Sequence, residues 1–175
     1  MLKYKNKIVL IHQELGIPDS YESEYALRLQ KEEVDLVEIE NDIYGRAQRL
    51  APVAAKAWTG MKGDAQKEGV TLNIISAYRA VEKQKNIIQM KLGSGKSIFE
   101  ILKVCAAPGY SEHHTGRAVD ISSSECEPLS QEFENTEAFI WLNENANIYS
   151  FGLSYPKNNK LGIAYEPWHW AYNHA

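Results

Sequence analysis

The segment Ser111-Glu112-His113-His114-Thr115-Gly116-Arg117-Ala118-Val119-Asp120, answered near the C-terminus by Glu166-Pro167-Trp168-His169, constrains this chain more than any other feature. Together the two offer the donors of one metal ion, so the fold has to bring them to one place. A catalytic zinc takes three protein ligands and leaves its fourth position to water, whereas a structural zinc is closed by four, usually with cysteine among them. His113, Asp120 and His169 are the expected three, and Glu166 the expected base. Gly116 lets the backbone turn or approach the metal closely, and Ala118-Val119 leads into Asp120 as a short buried strand. A helix over 113–120 would also put both ligands on one face. Gly116 and the run Val119-Asp120-Ile121-Ser122 favour a loop entering a strand instead.

At 175 residues the chain fits one domain and buries about 70% of the surface its unfolded form exposes, without a staple. Its 19 basic residues are scattered within a net charge of −4, which argues against a nucleic-acid or anionic-membrane partner. The basic opening Met1-Leu2-Lys3-Tyr4-Lys5-Asn6-Lys7 leads to an apolar run, Ile8-Val9-Leu10-Ile11, that His12-Gln13-Glu14 ends too soon for a secretion signal. No segment approaches the roughly 20 apolar residues needed to span a bilayer, so the expected setting is the cytoplasm. Cys105 and Cys126 read as two reduced thiols.

Along the chain, Tyr4 to Leu15 reads as a helix stopped by Gly16, and Asp35-Leu36-Val37-Glu38-Ile39 as an edge strand. From Ile43 to Glu68, Ala47, Leu50, Val53, Ala54, Ala57, Trp58 and Met61 recur at helical spacing, predicting one core helix with a break near Pro52 or Gly63 and a stop at Gly69. Val70 to Ser76 alternates as a strand that delivers Tyr78 and Arg79 at its end, where a rigid scaffold carries functional side chains. Helices follow from Val81 to Leu92 and from Ser97 to Cys105. Gly95-Lys96-Ser97 between them is a plain turn, because a phosphate loop needs glycine where Met90 stands and follows a strand. A further helix within 130–149 points Phe133, Phe139, Ile140, Leu142 and Ala146 inward, Ser150 to Leu153 is a strand, and Ile163 to Glu166 is a strand delivering the last motif. The pattern is α+β, a small, mostly antiparallel sheet with helices packed on one face and the open face carrying the metal.

The two metal motifs resemble those of the VanY-type peptidases within the LAS group of zinc metallopeptidases, whose patterns are S-x-H-x-x-G-x-A-x-D and E-x-W-H. Ser111, His113, Gly116, Ala118 and Asp120 complete the first, and Glu166, Trp168 and His169 the second. A third family element is similar to Ser76-Ala77-Tyr78-Arg79 followed by Gln84, although Ala80 stands where the family usually has serine. The resemblance covers roughly residues 45–172. It implies the LAS, hedgehog-like fold and a Zn2+-dependent carboxypeptidase acting on D-Ala-terminated peptidoglycan stem peptides, with 1–44 as an N-terminal extension packed on a catalytic domain of 45–175. Arg79 would stabilise the developing oxyanion or clamp the substrate carboxylate, Glu166 would move the proton, and Ser111, Gln84, Tyr78 and Ser76 would contact the substrate. Trp168 and Trp170 would wall the pocket against water. His114, next to a ligand, points the other way, and His12 and His174 show no partner in the sequence.

Two rival readings remain open. One is a peptide-binding module that keeps zinc without catalysis, against which Glu166 and Arg79 speak. The other is a structural zinc domain, which would need His114 or Cys126 as a fourth ligand. Within the enzyme reading the choice lies between D,D-cleavage of D-Ala-D-Ala and L,D-cleavage that trims a tetrapeptide to a tripeptide in recycling. The absent signal segment favours L,D, because a cytoplasmic D,D-enzyme would damage pentapeptide precursors.

Overall fold

The computed structural model describes residues 2–173. Helix α1 (Leu2–Leu15) ends at Gly16, whose positive φ of 68° suits a residue without Cβ, and the short α2 (Tyr21–Glu24) follows. Strands β1 (Val37–Asn41) and β2 (Ala47–Leu50) form a two-stranded antiparallel sheet of their own. The helix expected from Ile43 therefore starts only at Pro52, as α3 (Pro52–Lys67), and Ala47 to Leu50 are strand. The reason is local: proline at the first helical position lacks the N–H of an interior residue and holds Ala51 extended, at φ −59° and ψ 142°. Val53, counted inward by spacing, is 49% exposed. Gly69 closes α3 as expected, with the Val70 N–H donating back to the Ala65 carbonyl.

Strand β3 (Asn73–Ser76) starts three residues later than the alternation suggests. Helices α4 (Val81–Gly93) and α5 (Ile98–Leu102) follow, the second opened by Ser97 and Glu100 in a reciprocal capping box. Strand β4 (Ala118–Ser122) comes next, and the helical stretch of 130–149 breaks into α6 (Glu137–Asn145) between two 3-10 turns, with Thr136 capping α6. Ile140 lies on the outer side of α6, 53% exposed, contrary to its expected inward place. After β5 (Phe151–Leu153), residues 163–166 are loop rather than strand. Pro167 has no N–H for a ladder there, and β6 (His169–Tyr172) begins at the last motif residue itself.

The main sheet is antiparallel in the order β3-β4-β6-β5. One face packs Ile74, Val119, Ile121 and Trp170 against Trp58 and Met61 of α3 and Leu142 of α6. Burying a side chain such as Leu142 contributes about 1.5–3 kcal/mol each. A second cluster joins Ile8 and Ile11 of α1, Tyr21, Val81 and Ile88 of α4, Ile101 and Leu102. The other face of the sheet carries the motif residues. Among the described residues no helix is long and apolar enough to cross a membrane.

Candidate metal centre and active site

Asp120 and His169 sit directly opposite each other on the two central strands, β4 and β6. Direct cross-strand partners share a face, so both project from the open side while Val119 and Trp170 enter the core. Ser76 reaches that side through an irregularity in β3: Ile74 pairs Ile121 on the core face, yet Ser76 pairs Asp120. The extra residue is a bulge, which flips alternation by one and turns Ser76 toward the site.

His113 arrives from a 3-10 turn, Glu112–Thr115, that ends in left-handed Gly116 (φ 64°). A Cβ on Gly116 would stand 2.8 Å from Leu36 Cδ2 and 2.9 Å from the Ala51 nitrogen. The close approach this glycine permits is therefore to backbone and to Leu36, not to a metal as its spacing suggested.

The donor atoms of His113, Asp120 and His169 all lie within 4.8 Å of one another, and all three residues are buried. Each imidazole has its other nitrogen committed. His113 Nδ1 bonds the Ala77 carbonyl at 2.6 Å, leaving Nε2 3.1 Å from Asp120 Oδ2. His169 Nε2 bonds the Glu112 carboxylate at 2.9 Å, leaving Nδ1 3.0 Å from Asp120 Oδ1. Glu112 was not singled out in the sequence, although it stands beside His113 inside the motif. Carboxylate and carbonyl partners of this kind fix the orientation and tautomer of metal-binding histidines.

The electrostatics favour a cation here. Burial lowers the pKa of His113, so in its neutral form Nε2 and the Asp120 oxygen are two acceptors facing each other. His169, despite its burial, is raised to about 10 by its bonds to Asp120 and Glu112. Asp120 is held well below the usual carboxylate range: burial opposes ionisation, but the bond from His169 and its charge outweigh it. Two imidazoles and the Asp120 carboxylate thus converge with Glu112 behind His169, a set of donors whose negative charge a cation would answer and which fits zinc.

Glu166 approaches His169 Nδ1 no closer than 4.0 Å, and burial pushes its carboxyl up to about 7. That is the range of a base poised for neutral pH. Arg79 donates to Gln84 Oε1 at 2.8 Å, to Ser76 Oγ at 3.0 Å and to Asp120 Oδ2 at 3.4 Å. Gln84 is 1% exposed, and its amide nitrogen donates to the Ala106 carbonyl and to Cys105 Sγ. All of its polar atoms are engaged, so it holds Arg79 rather than substrate. Tyr78 turns away from the centre, with its hydroxyl on Glu32 and its ring under Arg49, because its backbone N–H is tied to the Arg49 carbonyl of β2.

A cleft of about 120 Å³ opens over the donors, lined among others by Arg79, Ser111, Tyr155, Glu166 and Trp168. Ser111 and Trp168 are thus placed where the motifs suggested, and the Ser111 hydroxyl has no protein partner among the described residues. Trp170, by contrast, lies in the core with its indole N–H on the Pro167 carbonyl. Tyr155, whose ring centroid is 4.8 Å from that of His169, was not legible in the sequence. His114 faces away from the centre: Nδ1 bonds the Arg79 carbonyl and Nε2 accepts the Gly109 N–H, and burial lowers its pKa to about 4. Cys126 packs at the edge of the main core, so neither it nor His114 joins the donor group. His12 does have a partner, the Pro108 carbonyl at 2.8 Å, and His174 lies outside the described residues.

Three converging donors, an acid beside them and an arginine over a small cleft define a metallopeptidase-type centre with room for a fourth ligand. The comparisons with known proteins agree. Residues 47–175 match the VanY family, D-alanyl-D-alanine carboxypeptidase, and the chain belongs to that family. It is 34% identical to YodJ of Bacillus subtilis (strain 168), over 96% of this chain and 60% of YodJ, so it spans well under the full length of that relative. Among solved structures, the LdcB LD-carboxypeptidase superposes with a TM-score of 0.73 at 36% identity, over 83% of this chain and 71% of that one. The D,D-pentapeptidase VanY, solved with Zn(II), gives a TM-score of 0.63 at 27% identity, over 80% of this chain and 79% of that one.

Proposed function

We propose that this protein is a zinc-dependent carboxypeptidase that removes the C-terminal D-Ala from peptidoglycan stem peptides, preferring the L,D-bond of a tetrapeptide. The observation that carries this is the convergence of His113 Nε2, Asp120 and His169 Nδ1 beside a Glu166 carboxyl that titrates near neutrality. Zinc is the metal bound in the related VanY structure, and the two-histidine, one-aspartate set suits it. A zinc ion held there would supply Lewis acidity, bringing water to a pKa of about 7 and polarising the scissile carbonyl. Glu166 takes the proton of the attacking water and returns it to the leaving amine. Arg79, braced by Gln84 and Ser76, faces the carbonyl oxygen and stabilises its developing charge by about 3 kcal/mol. The catalytic unit is residues 45–175, with 1–44 packed on it. The L,D preference is supported by the nearer likeness to LdcB than to the D,D-enzyme.

The test offers zinc-loaded protein muramoyl tetrapeptide and pentapeptide side by side, with and without chelator. D-Ala should appear faster from the tetrapeptide, and chelator should stop it. Faster release from the pentapeptide would reverse the preference to D,D, and no release from either by protein with bound zinc would make this a binding module.

A further inference from the structure

Arg79 can serve the reaction only if its guanidinium keeps a fixed place beside the metal donors, yet its backbone lies in an irregular turn, residues 77–80, between β3 and α4. No helix or strand holds that turn. It is stitched instead to the 3-10 turn that carries the metal donor His113. The Ala77 carbonyl accepts from His113 Nδ1 at 2.6 Å, and the Arg79 N–H donates to the His113 carbonyl at 3.1 Å. The third stitch is His114, whose Nδ1 donates to the Arg79 carbonyl at 2.6 Å.

His114 is completely enclosed, at 0% exposure, and takes no part in the chemistry derived above. Its two bonds fix its state. A carbonyl oxygen can only accept, so Nδ1 carries the proton, and Nε2, which accepts the Gly109 N–H at 3.0 Å, carries none. The ring is therefore a neutral strut between two backbone groups. Its far end is anchored: Gly109 is left-handed at φ 89°, a Cβ there would stand 2.9 Å from Ile8 of α1, and its carbonyl accepts the Gln30 N–H at 2.7 Å. A run of contacts thus leads from the N-terminal segment through Gly109 and the His114 ring to Arg79, and ends at the guanidinium braced by Gln84 and Ser76.

We propose that His114 is the positioning residue that holds Arg79 at a fixed distance from the metal donors, so that arginine and metal address the same carbonyl oxygen. This rests on the function proposed above. Because His113 and His114 are neighbours in one 3-10 turn, the metal donor and the strut move together, and Arg79 follows both. Displacing a reacting group by about 1 Å can cost about 10²-fold in rate, which is the scale at which such a strut matters. Filling the core does not call for imidazole: an apolar side chain of similar size would pack there but leave the Gly109 N–H and the Arg79 carbonyl without their partner.

The experiment is a double-mutant cycle on zinc-loaded protein, with whichever stem peptide the unmodified chain cleaves faster. His114→Leu is compared in the unmodified chain and in Arg79→Ala, and His114→Gln, which keeps a donor and an acceptor, in the unmodified chain. Losing the strut should lower kcat about 10- to 100-fold with KM and bound zinc unchanged, and His114→Gln should recover most of it. In Arg79→Ala, where no guanidinium remains to be placed, the same substitution should change kcat by less than about twofold. An unchanged kcat in His114→Leu, or an equal loss in both backgrounds, would overturn the assignment, the second because His114 would then serve only the packing of the fold. So would loss of zinc in step with activity, which places the effect on His113. If His114→Leu does not fold, His114→Asn, too short to reach both partners, takes its place with the same outcomes. If the unmodified chain cleaves no stem peptide, the proposed function fails and takes this inference with it, whereas cleavage with equal losses in both backgrounds removes the inference alone.

Discussion

The two hydrophobic clusters of this molecule are built differently. The cluster between the main sheet and helices α3 and α6 is almost wholly apolar, and its few side-chain hydrogen bonds, such as Trp58 to Glu40, Trp141 to Glu68 and Trp170 to the Pro167 carbonyl, come from indole N–H groups. The cluster around α1, α2, α4 and α5 is threaded with polar contacts, and they point to one place. The Tyr21 hydroxyl accepts the Ala107 N–H, His12 bonds the Pro108 carbonyl, and the Gln30 N–H donates to the Gly109 carbonyl. Glu32 accepts from the Val81 N–H, and the Glu33 N–H donates to the His114 carbonyl. Apolar burial is non-directional and supplies stability, whereas hydrogen bonds fix position. The first cluster therefore holds the sheet together, and the second holds the loop 107–114 that presents His113. The N-terminal segment is part of how the site is positioned, even though none of its residues faces the metal donors.

Substitutions can break or sharpen that contrast. The largest effect belongs to the site itself: Glu166→Gln should lower turnover by about 10²- to 10⁴-fold while zinc content and melting temperature stay near those of the unmodified chain. Loss of zinc in parallel with activity would mean that Glu166 holds the metal. Next comes the apolar cluster, where Leu142→Ala should cost about 2–5 kcal/mol in urea unfolding yet leave kcat intact well below the melting temperature, since Leu142 is fully buried and distant from the cleft. Smaller again, Glu112→Ala should weaken zinc binding about 10- to 100-fold in a chelator competition, with Glu112→Gln recovering part of it as a weaker acceptor for His169 Nε2.

The smallest effect separates the clusters by pH. Burial lowers the pKa of His12 below its ordinary 6.5, so the native state binds fewer protons there than the unfolded chain. The resulting stability is fully present above pH 6.5 and is lost as pH falls through the folded value. His12→Gln should therefore lose less stability between pH 7 and pH 5 than the unmodified chain, while Leu142→Ala should show the unmodified slope. Identical slopes in His12→Gln and the parent would remove His12 from the account.

The metal donors were legible because their chemistry is concentrated in two short motifs, and the loop-to-strand reading of 113–120 follows from Gly116 and the β-branched run after it. What the sequence hid was mostly long-range. Tyr155 reaches His169 from a loop with no periodicity, and the bulge that turns Ser76 toward Asp120 exists only once β3 pairs with β4. The error over residues 43–51 had a different origin: Ala47 and Leu50, at the two ends of a four-residue strand, are three apart and so also satisfy helical spacing when a real helix follows, and only Pro52 marks the boundary. The strand expected at 163–166 failed for a related reason, since Ile163 and Tyr165 alternate but Pro167 interrupts the ladder just after them.

The strand order β3-β4-β6-β5 places both Asp120 and His169 on interior strands, each paired on both sides. Interior strands open with the global unfolding free energy rather than by local fraying. Amide hydrogens of 119–121 and 170–171 should thus be among the slowest in the molecule to exchange with deuterium, with metal or without it. The scaffold of the centre is then preformed, and a zinc ion offered to the metal-free protein should be taken up on the timescale of diffusion and deprotonation instead of refolding.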